Sequence, residues 1–317
     1  MRTFLEFERP IAELEGKIEE LRHLADLDEI NIVNEVSKLE KEADRLLRNA
    51  YSNLDPWQKV QVARHPGRPH CAHYIDRLIE SFTPLAGDRS YGDDKAILGG
   101  LGRFRGYACV VLGTEKGAAT QARVHHNFGM ARPEGYRKAQ RLMKLAERFR
   151  LPVLTFVDTT GAYPGVGAEE RGQAEAIARS IETCLSLDTP IISVIIGEGG
   201  SGGAVALAAA NTVLMLEHGI YSVISPEACS SILWRSTDEA KTAAQSLRLT
   251  AQEILEFGVI DEIVGEPVGG AHRDPEQAID AVGDAMQKAL SALIGRESTW
   301  LRTHRADKFL AIGRFGA

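Results

Sequence analysis

Two stretches of the chain concentrate glycine where chemistry could be done. The first runs Gly161-Ala162-Tyr163-Pro164-Gly165-Val166-Gly167 into Ala168-Glu169-Glu170-Arg171-Gly172, and the second is Gly197-Glu198-Gly199-Gly200-Ser201-Gly202-Gly203. Each directly follows a short apolar run that reads as a buried strand, and the second opens a helix. Loops at strand C-termini that lead into helices are where α/β proteins bind ligands. Glycine permits positive φ there and lets a ligand approach bare backbone N–H groups without meeting a Cβ. At a helix start those groups lack internal partners and sit at the positive end of the helix dipole. Such a place suits anions, including an oxyanion that develops only during reaction. The alternative is a pair of tight turns and close helix–sheet contacts. For the second stretch, five glycines in seven residues favour the binding reading, since so much backbone entropy suits an ordinary turn poorly.

Gly199-Gly200-Ser201-Gly202-Gly203 also satisfies the Gly-x-Ser-x-Gly pattern of a nucleophile elbow. A serine hydrolase would need a base and an acid near Ser201. His218, His272 and His304 follow it, with Asp261 and Asp274 as acids, but none stands in a distinctive context. Ser201 therefore reads first as a small hydrogen-bonding loop residue. Neither glycine stretch carries a phosphate-loop lysine or the Rossmann spacing, which disfavours a nucleotide cofactor. Cys71, Cys109, Cys184 and Cys229 lie far apart, and zinc ligands normally come in close pairs, so no metal is expected on this chain. His125-His126 point apart on any regular backbone and suit solvent or packing.

The elements that must hold these stretches can be read from periodicity. Ala96–Leu101 and Tyr107–Leu112 are strand candidates around Gly102–Gly106, Glu134–Arg150 is a helix, and Val153–Val157 is a strand opened by Pro152. A helix with Ala174, Ile177, Ala178, Ile181, Cys184 and Leu185 along one stripe precedes strand Ile191–Ile196; Val213–Leu216 and Tyr221–Ile224 are further strands. Asp274 caps a last helix lined by Ile279, Val282, Met286, Ala289 and Leu293. Alternating β and α over about 180 residues implies a layered α/β core.

Ahead of this body, Ile11, Leu14, Ile18, Leu21 and Ala25 form one narrow apolar seam. After a break near Asp26–Ile30, Ile32, Val36, Leu39, Ala43, Leu46 and Ala50 form another. The expected organisation is a helical hairpin extension over 1–55, a linker over 56–85 and the main domain over 86–317. The basic stretch Trp57–His73, broken by Pro66 and Pro69, reads as part of that link, with an anion-contacting patch as the alternative.

The bulk numbers frame the partners. A chain of 317 residues can bury a large core, and 44% hydrophobic with 26% charged residues is an ordinary globular composition. A formal net charge of −7 gives no support to general nucleic-acid binding. The first fifteen residues carry Glu6, Glu8 and Glu13, unlike a signal peptide, and the longest apolar run, Gly203–Ala210, is too short to span a bilayer. The reading is a soluble cytoplasmic protein.

Beyond these local signals, whole segments resemble a known family. Phe156-Val157-Asp158, both glycine stretches, Tyr221-Ser222-Val223-Ile224-Ser225-Pro226-Glu227 and Gly269-Gly270-Ala271-His272-Arg273 resemble the alpha subunits of bacterial acetyl-CoA carboxylase carboxyltransferases. So do Phe4–Glu8, Pro10–Glu15, Ala63-Arg64-His65-Pro66 and Asn127-Phe128-Gly129-Met130, so that the likeness covers nearly the whole chain. It implies a crotonase-like spiral of ββα units with an N-terminal helical extension. It implies a beta-subunit partner in an alpha2beta2 assembly, with zinc on the beta partner only. It also implies biotin held on a separate biotin carboxyl carrier protein, a biotin carboxylase in the same system, and acetyl-CoA as the acceptor converted to malonyl-CoA. The family pattern places an oxyanion hole on the amides of Gly202 and Gly203.

Gly161, Gly165, Gly167, Gly199, Gly200, Ser201 and Arg171 are the expected substrate contacts; for Arg171 the alternative is a surface ion pair with Glu169 or Glu170. The chain departs from the family at Asp158-Thr159-Thr160-Gly161, where the family reads Asp-Thr-Pro-Gly, and across Gly117–His126, where the family is more basic. Two other readings stay open: a self-contained hydrolase or hydratase using Ser201, and a non-enzymatic scaffold using the N-terminal hairpin.

Overall fold

The computed structural model describes residues 3–28 and 33–313. The two apolar seams form a pair of packed helices, α1 (Arg9–Asp28) and α2 (Val33–Ser52), with Ile11, Ile18, Ala43 and Tyr51 buried. Ile30 and Ile32, expected at the break and in the second seam, lie outside the described residues, as does Met1.

The stretch expected to be a linker is folded into the body. Asp55 caps α3 (Pro56–Ala63): its carboxylate accepts from the Gln58 N–H at 2.7 Å, and the Gln58 side chain accepts from the Asp55 N–H at 2.8 Å. Next come α4 (Cys71–Leu78) and β1 (Ile79–Pro84). Between the two helices His65, Arg68 and His70 are buried. Pro66 and Pro69 do stop regular structure, but Arg64, Arg68 and His70 around them face the carboxylates of Glu198, Glu266 and Asp158.

The main body holds one mixed sheet. β2 (Ile97–Phe104) and β3 (Tyr107–Thr114) form the expected hairpin, with β1 antiparallel on its outer edge. After α5 (Thr120–His125) and α6 (Pro133–Phe149) the strands turn parallel: β4 (Val153–Thr159) pairs with β3 and with β5 (Ile191–Gly200). Between those two strands run α7 (Val166–Glu170) and α8 (Gln173–Ser186), and β5 leads into α9 (Ser201–Ala208). β6 (Thr212–Leu216) and β7 (Ile220–Ser222) both pair with β5, at Ile192–Ile195 and at Glu198–Gly200 respectively. α10 (Pro226–Trp234), α11 (Ala240–Leu247) and α12 (Ala251–Glu256) precede the edge strand β8 (Glu262–Val264). α13 (Pro275–Leu293), capped by Asp274 as the sequence requires, and α14 (Ser298–Ala311) complete the described chain.

Strands β4 and β5 are buried along their whole length because helices cover both faces. One face packs against α6, α8 and α9 through residues such as Leu142, Met143, Val157 and Leu207. The other packs against α4 and α13 through Tyr74, Phe156, Val194 and Met286. Contrary to expectation, Gly197 to Gly200 continue β5; only from Ser201 does the chain turn. Among the described residues no helix is long and apolar enough to cross a membrane.

The N-terminal extension is clamped to the body by charge and by a histidine stack. Gly269 and Gly270, both at φ near +90°, swing His272 and Arg273 toward it. Arg273 meets Glu8 at 3.1 Å and also Glu15, and Tyr51 donates to Glu8 at 3.2 Å. His65 accepts from the Gly67 N–H on Nδ1 at 3.1 Å, so its proton sits on Nε2 and is donated to the Thr3 carbonyl at 3.0 Å. His272 stacks on His65 with ring centroids 3.8 Å apart. Burial, then the adjacent His65, lower His272 from 6.5 to about 3, and burial also lowers His65.

Both rings are thus held neutral in the fold, so this contribution is complete above the ordinary pKa of 6.5 and is lost as pH falls toward about 3. Protection of the amides in residues 3–23, taken relative to their intrinsic exchange rate at each pH, should therefore fall between pH 6.5 and pH 4 more steeply in the native chain than in His272→Phe. Equal acid sensitivity in the two would show that the stack is not the acid-labile clamp.

Candidate active site

The two glycine stretches meet because β4 and β5 are neighbours and their backbones touch beyond the ladder. A register shift sets three residues of β5, Ile196 to Glu198, opposite the single Asp158, and brings Thr159 opposite Gly199. A Cβ on Gly200 would lie 2.3 Å from the carbonyl carbon and oxygen of Thr160, and one on Gly203 would lie 2.8 Å from the Gly161 carbonyl carbon. Bare backbone is therefore required on one side of the contact. Thr159 braces the first turn: its hydroxyl donates to the Gly129 carbonyl at 2.7 Å and accepts from the Gly161 N–H at 3.1 Å. This bracing supplies rigidity at the point where a proline is replaced by Thr160. Gln173 adds to it, donating to the carbonyls of Ala131 and Tyr163 at 2.9 Å each.

Above this contact lies an open cleft of about 750 Å³, lined among others by Arg64, Gly161, Tyr163, Ile177, Ser201 and Ile224. Ser201 is exposed there at φ +50°, a left-handed conformation that costs an ordinary residue about 1–2 kcal/mol. The sharp turn it makes starts α9, whose N-terminus has no side-chain cap. Gly202 and Gly203 occupy its second and third positions, where N–H groups have no partner within the helix. These amides can serve as donors to an oxyanion at the end of the helix dipole.

Not every expected contact residue reaches the cleft. Gly161 and Ser201 line it, and Gly202 adjoins it through Ile177, 3.3 Å from where its Cβ would stand. Gly199 and Gly200 are buried inside β5, where a Cβ would strike Tyr221 or Thr160. Gly165 is demanded by the Tyr163 ring, 2.3 Å from where its Cβ would be, and Gly167 faces Arg171. Arg171 lies outside the cleft lining. It pairs with Glu134 at 2.9 Å, not with Glu169 or Glu170, and covers the Tyr91 ring at 4.4 Å. These glycines and Arg171 pack against the neighbours named and lie outside the cleft lining.

No histidine serves Ser201. His218 is 2.9 Å from the Lys59 ammonium, His272 stacks on His65, and His304 stacks on Trp300. The elbow geometry is present without a base.

Sequence reading missed the charged floor beneath the turns. Arg64 holds Glu198 through two bonds, at 2.6 and 3.1 Å, and Glu227 at 2.6 Å, tying β5 to α10. Lys116 meets Asp158 at 2.7 Å and Glu198 at 3.4 Å. The Asp158 carboxylate also accepts from the Glu198 N–H at 2.9 Å. Burial opposes ionisation of Asp158, but the Lys116 ammonium overrides it and holds the carboxyl well below its usual range. Next to it, Arg68 and Glu266 form a fully buried two-bond pair at 2.7 and 2.8 Å. Ala63-Arg64-His65-Pro66 and the isolated Glu198 among glycines were the available signals.

A mixed sheet with glycine turns at the ends of its parallel strands, a helix-terminal amide pair and a buried charged floor make up a crotonase-like α/β fold. Solved structures share it. Transcarboxylase 12S with methylmalonyl-coenzyme A and methylmalonic acid bound superposes with a TM-score of 0.58 at 15% identity over 71% of this chain and 41% of that one. A Pseudomonas malonate decarboxylase hetero-tetramer in complex with coenzyme A gives 0.55 at 16% identity over 70% and 89%. More specifically, residues 4–313 match the acetyl co-enzyme A carboxylase carboxyltransferase-like family, and the chain belongs to it. It is 66% identical over 99% of both chains to the acetyl-coenzyme A carboxylase carboxyl transferase subunit alpha of Rhodospirillum centenum. Its identity to the counterpart from Paramagnetospirillum magneticum is 63% over 98% of both.

The turn contact makes a graded prediction. Gly203→Ala forces a Cβ to within 3.0 Å of three atoms and should lower unfolding stability by about 2 kcal/mol, whereas Gly202→Ala meets only Ile177 and should cost less than about 1 kcal/mol. Arg64→Ala leaves the buried Glu198 with Lys116 as its remaining cation and should cost about 1–2 kcal/mol. Denaturant titrations that rank Gly202→Ala as the most damaging would contradict this geometry.

Proposed function

We propose that this chain is the alpha subunit of an acetyl-CoA carboxylase carboxyltransferase, working with a beta subunit to move a carboxyl group from carboxybiotin to acetyl-CoA. The observation that carries this reading is the N-terminus of α9, without a side-chain cap and with Ser201 in the lining of a cleft, in a chain of this family. Carboxybiotin supplies the carboxyl group, and its departure leaves negative charge on a ureido oxygen. This chain's part is to meet that charge with donors already fixed in place, which need no proton transfer and little reorganisation. Gly161 and Gly203, locked backbone to backbone, keep the donors aimed, and the Arg64–Glu198 pair holds the strand beneath them.

A partner is required on this reading because the cleft is open and apolar surface lies beside it. Val223 is 77% exposed and Ile232, Leu233 and Trp234, at the end of α10, are 71%, 64% and 43% exposed. An apolar patch of this kind next to an incomplete site suits a subunit interface. The carrier-bound biotin would enter the same cleft, and the acyl-CoA would be held largely by the partner.

Reconstitution with a beta subunit tests the reading. The isolated chain should transfer no carboxyl group, and the complex should form malonyl-CoA from acetyl-CoA. Gly203→Val should reduce kcat about a hundredfold in the complex, the scale of a lost oxyanion donor. Ser201→Ala should stay within about threefold of the native rate, since removing an exposed hydroxyl with no base beside it forfeits no transition-state interaction. A Gly203→Val complex that assembles with undiminished kcat, or Ser201 labelling by a fluorophosphonate, would overturn the assignment.

A further inference from the structure

Beside the cleft, and sharing Arg64 and Thr160 with it, is a second cavity of about 160 Å³. It sits at the C-terminal ends of β4 and β5, under the irregular segment between α3 and α4 and next to α5. Its polar lining is mostly donors whose capacity is not used. His70 is 5% exposed, and neither ring nitrogen has a hydrogen-bond partner; Nδ1 stands 3.8 Å from the Asp158 carboxylate. Arg68 is 3% exposed and spends both terminal nitrogens on Glu266 and the Ile196 carbonyl, while its Nε has no partner. Lys116 places two of its three N–H groups on Asp158 and Glu198. Arg123 makes one long bond, Nε to the Gly117 carbonyl at 3.3 Å, and among the described residues it forms no ion pair.

Charge is balanced around the cavity, but donor capacity is not. Arg64, Arg68, Lys116 and Arg123 face it against two carboxylates, Asp158 and Glu198, both of which already accept two or more bonds. Glu227 and Glu266 stand behind Arg64 and Arg68 and neutralise them from outside the cavity. What remains is unspent donor capacity on four lining residues, two of them nearly inaccessible to solvent. Unpartnered buried donors are costly, and a group of them around one space calls for an acceptor there.

We propose that this cavity is a binding site for a small carboxyl-type oxyanion, held by Arg123 and Lys116 on its outer side and by His70 and Arg68 within. A planar oxyanion presents several lone pairs to a donor ring of this kind, and guanidinium groups match its geometry. Free bicarbonate and the terminal carboxylate of a malonyl thioester share this chemistry. Only the choice between those two sources rests on the carboxyl-transfer reading; the site itself follows from the donors.

The test uses the intact chain without a partner. Histidine-ring nitrogen NMR, with the His70 signals identified through His70→Asn, is followed during titration with sodium bicarbonate, malonyl-CoA, acetyl-CoA or sodium chloride. Bicarbonate or malonyl-CoA should move the His70 resonances saturably, and acetyl-CoA and chloride should not. Arg123→Ala and Lys116→Met should each weaken the effect about tenfold, as loss of a charge-assisted bond requires. Arg123→Gln replaces Arg123→Ala if the latter does not fold. Movement by bicarbonate alone assigns a free oxyanion, and movement by malonyl-CoA alone assigns the thioester carboxylate. No movement with either, equal movement with chloride, or titrations unchanged in both variants would overturn the proposal. Oxyanion binding that persists while a reconstituted complex fails to transfer carboxyl groups would sink the functional reading and leave this site standing.

Discussion

The whole site hangs on a place where two backbones touch. β4 and β5 run side by side, and past their last paired residues the chain must turn twice within one atom's diameter. Gly200 lies against Thr160, and Gly203 against Gly161. Everything else follows from keeping that contact tight: the hydroxyl of Thr159 and the amide of Gln173 pin the first turn, and Ser201 accepts a left-handed backbone so that α9 can start where it does. The result is a helix terminus without a side-chain cap whose first residue lines the cleft.

Charge buried beneath the turns serves the same end. Asp158 and Glu198 come from the ends of β4 and β5, where β5 bulges, and each would be untenable alone in the core. Lys116 and Arg64 reach them from β3's end and from the segment after α3, so that ion pairs stitch together strands, α10 and the N-terminal third. A separate set of contacts, through Arg273, Glu8 and the His65–His272 stack, seats the helical extension on the opposite side of that segment. The residues between α3 and α4 are thus a keystone between extension and site.

Much of this architecture was legible beforehand. Apolar runs at Val153 and Ile191, Cys184 on the α8 stripe, and the Asp274 cap each follow from local rules, because burial on a sheet or helix face leaves a period in the sequence. Of the expected stripe, Ala174 and Ala178 are exposed, and Ala176 is buried in their place. The position of both glycine stretches after buried strands was equally plain. What escaped were features set by distant partners. Basic residues near prolines look solvated unless one knows that Glu198, Glu227 and Glu266 will lie opposite them. Arg171 has acidic neighbours in sequence, yet its partner Glu134 comes from the start of α6. Gly199 and Gly200 resemble loop glycines, and only the pairing with β4 and β7 shows that they are strand.

The central claim is that the α9 terminus faces the charge that forms on biotin. A crystal structure of the chain reconstituted with a beta subunit, with biotin bound, measures this directly. The account places the ureido oxygen about 3 Å from the amide nitrogens of Gly202 and Gly203. Biotin seated elsewhere, with those two amides facing only solvent or the partner chain, would contradict it.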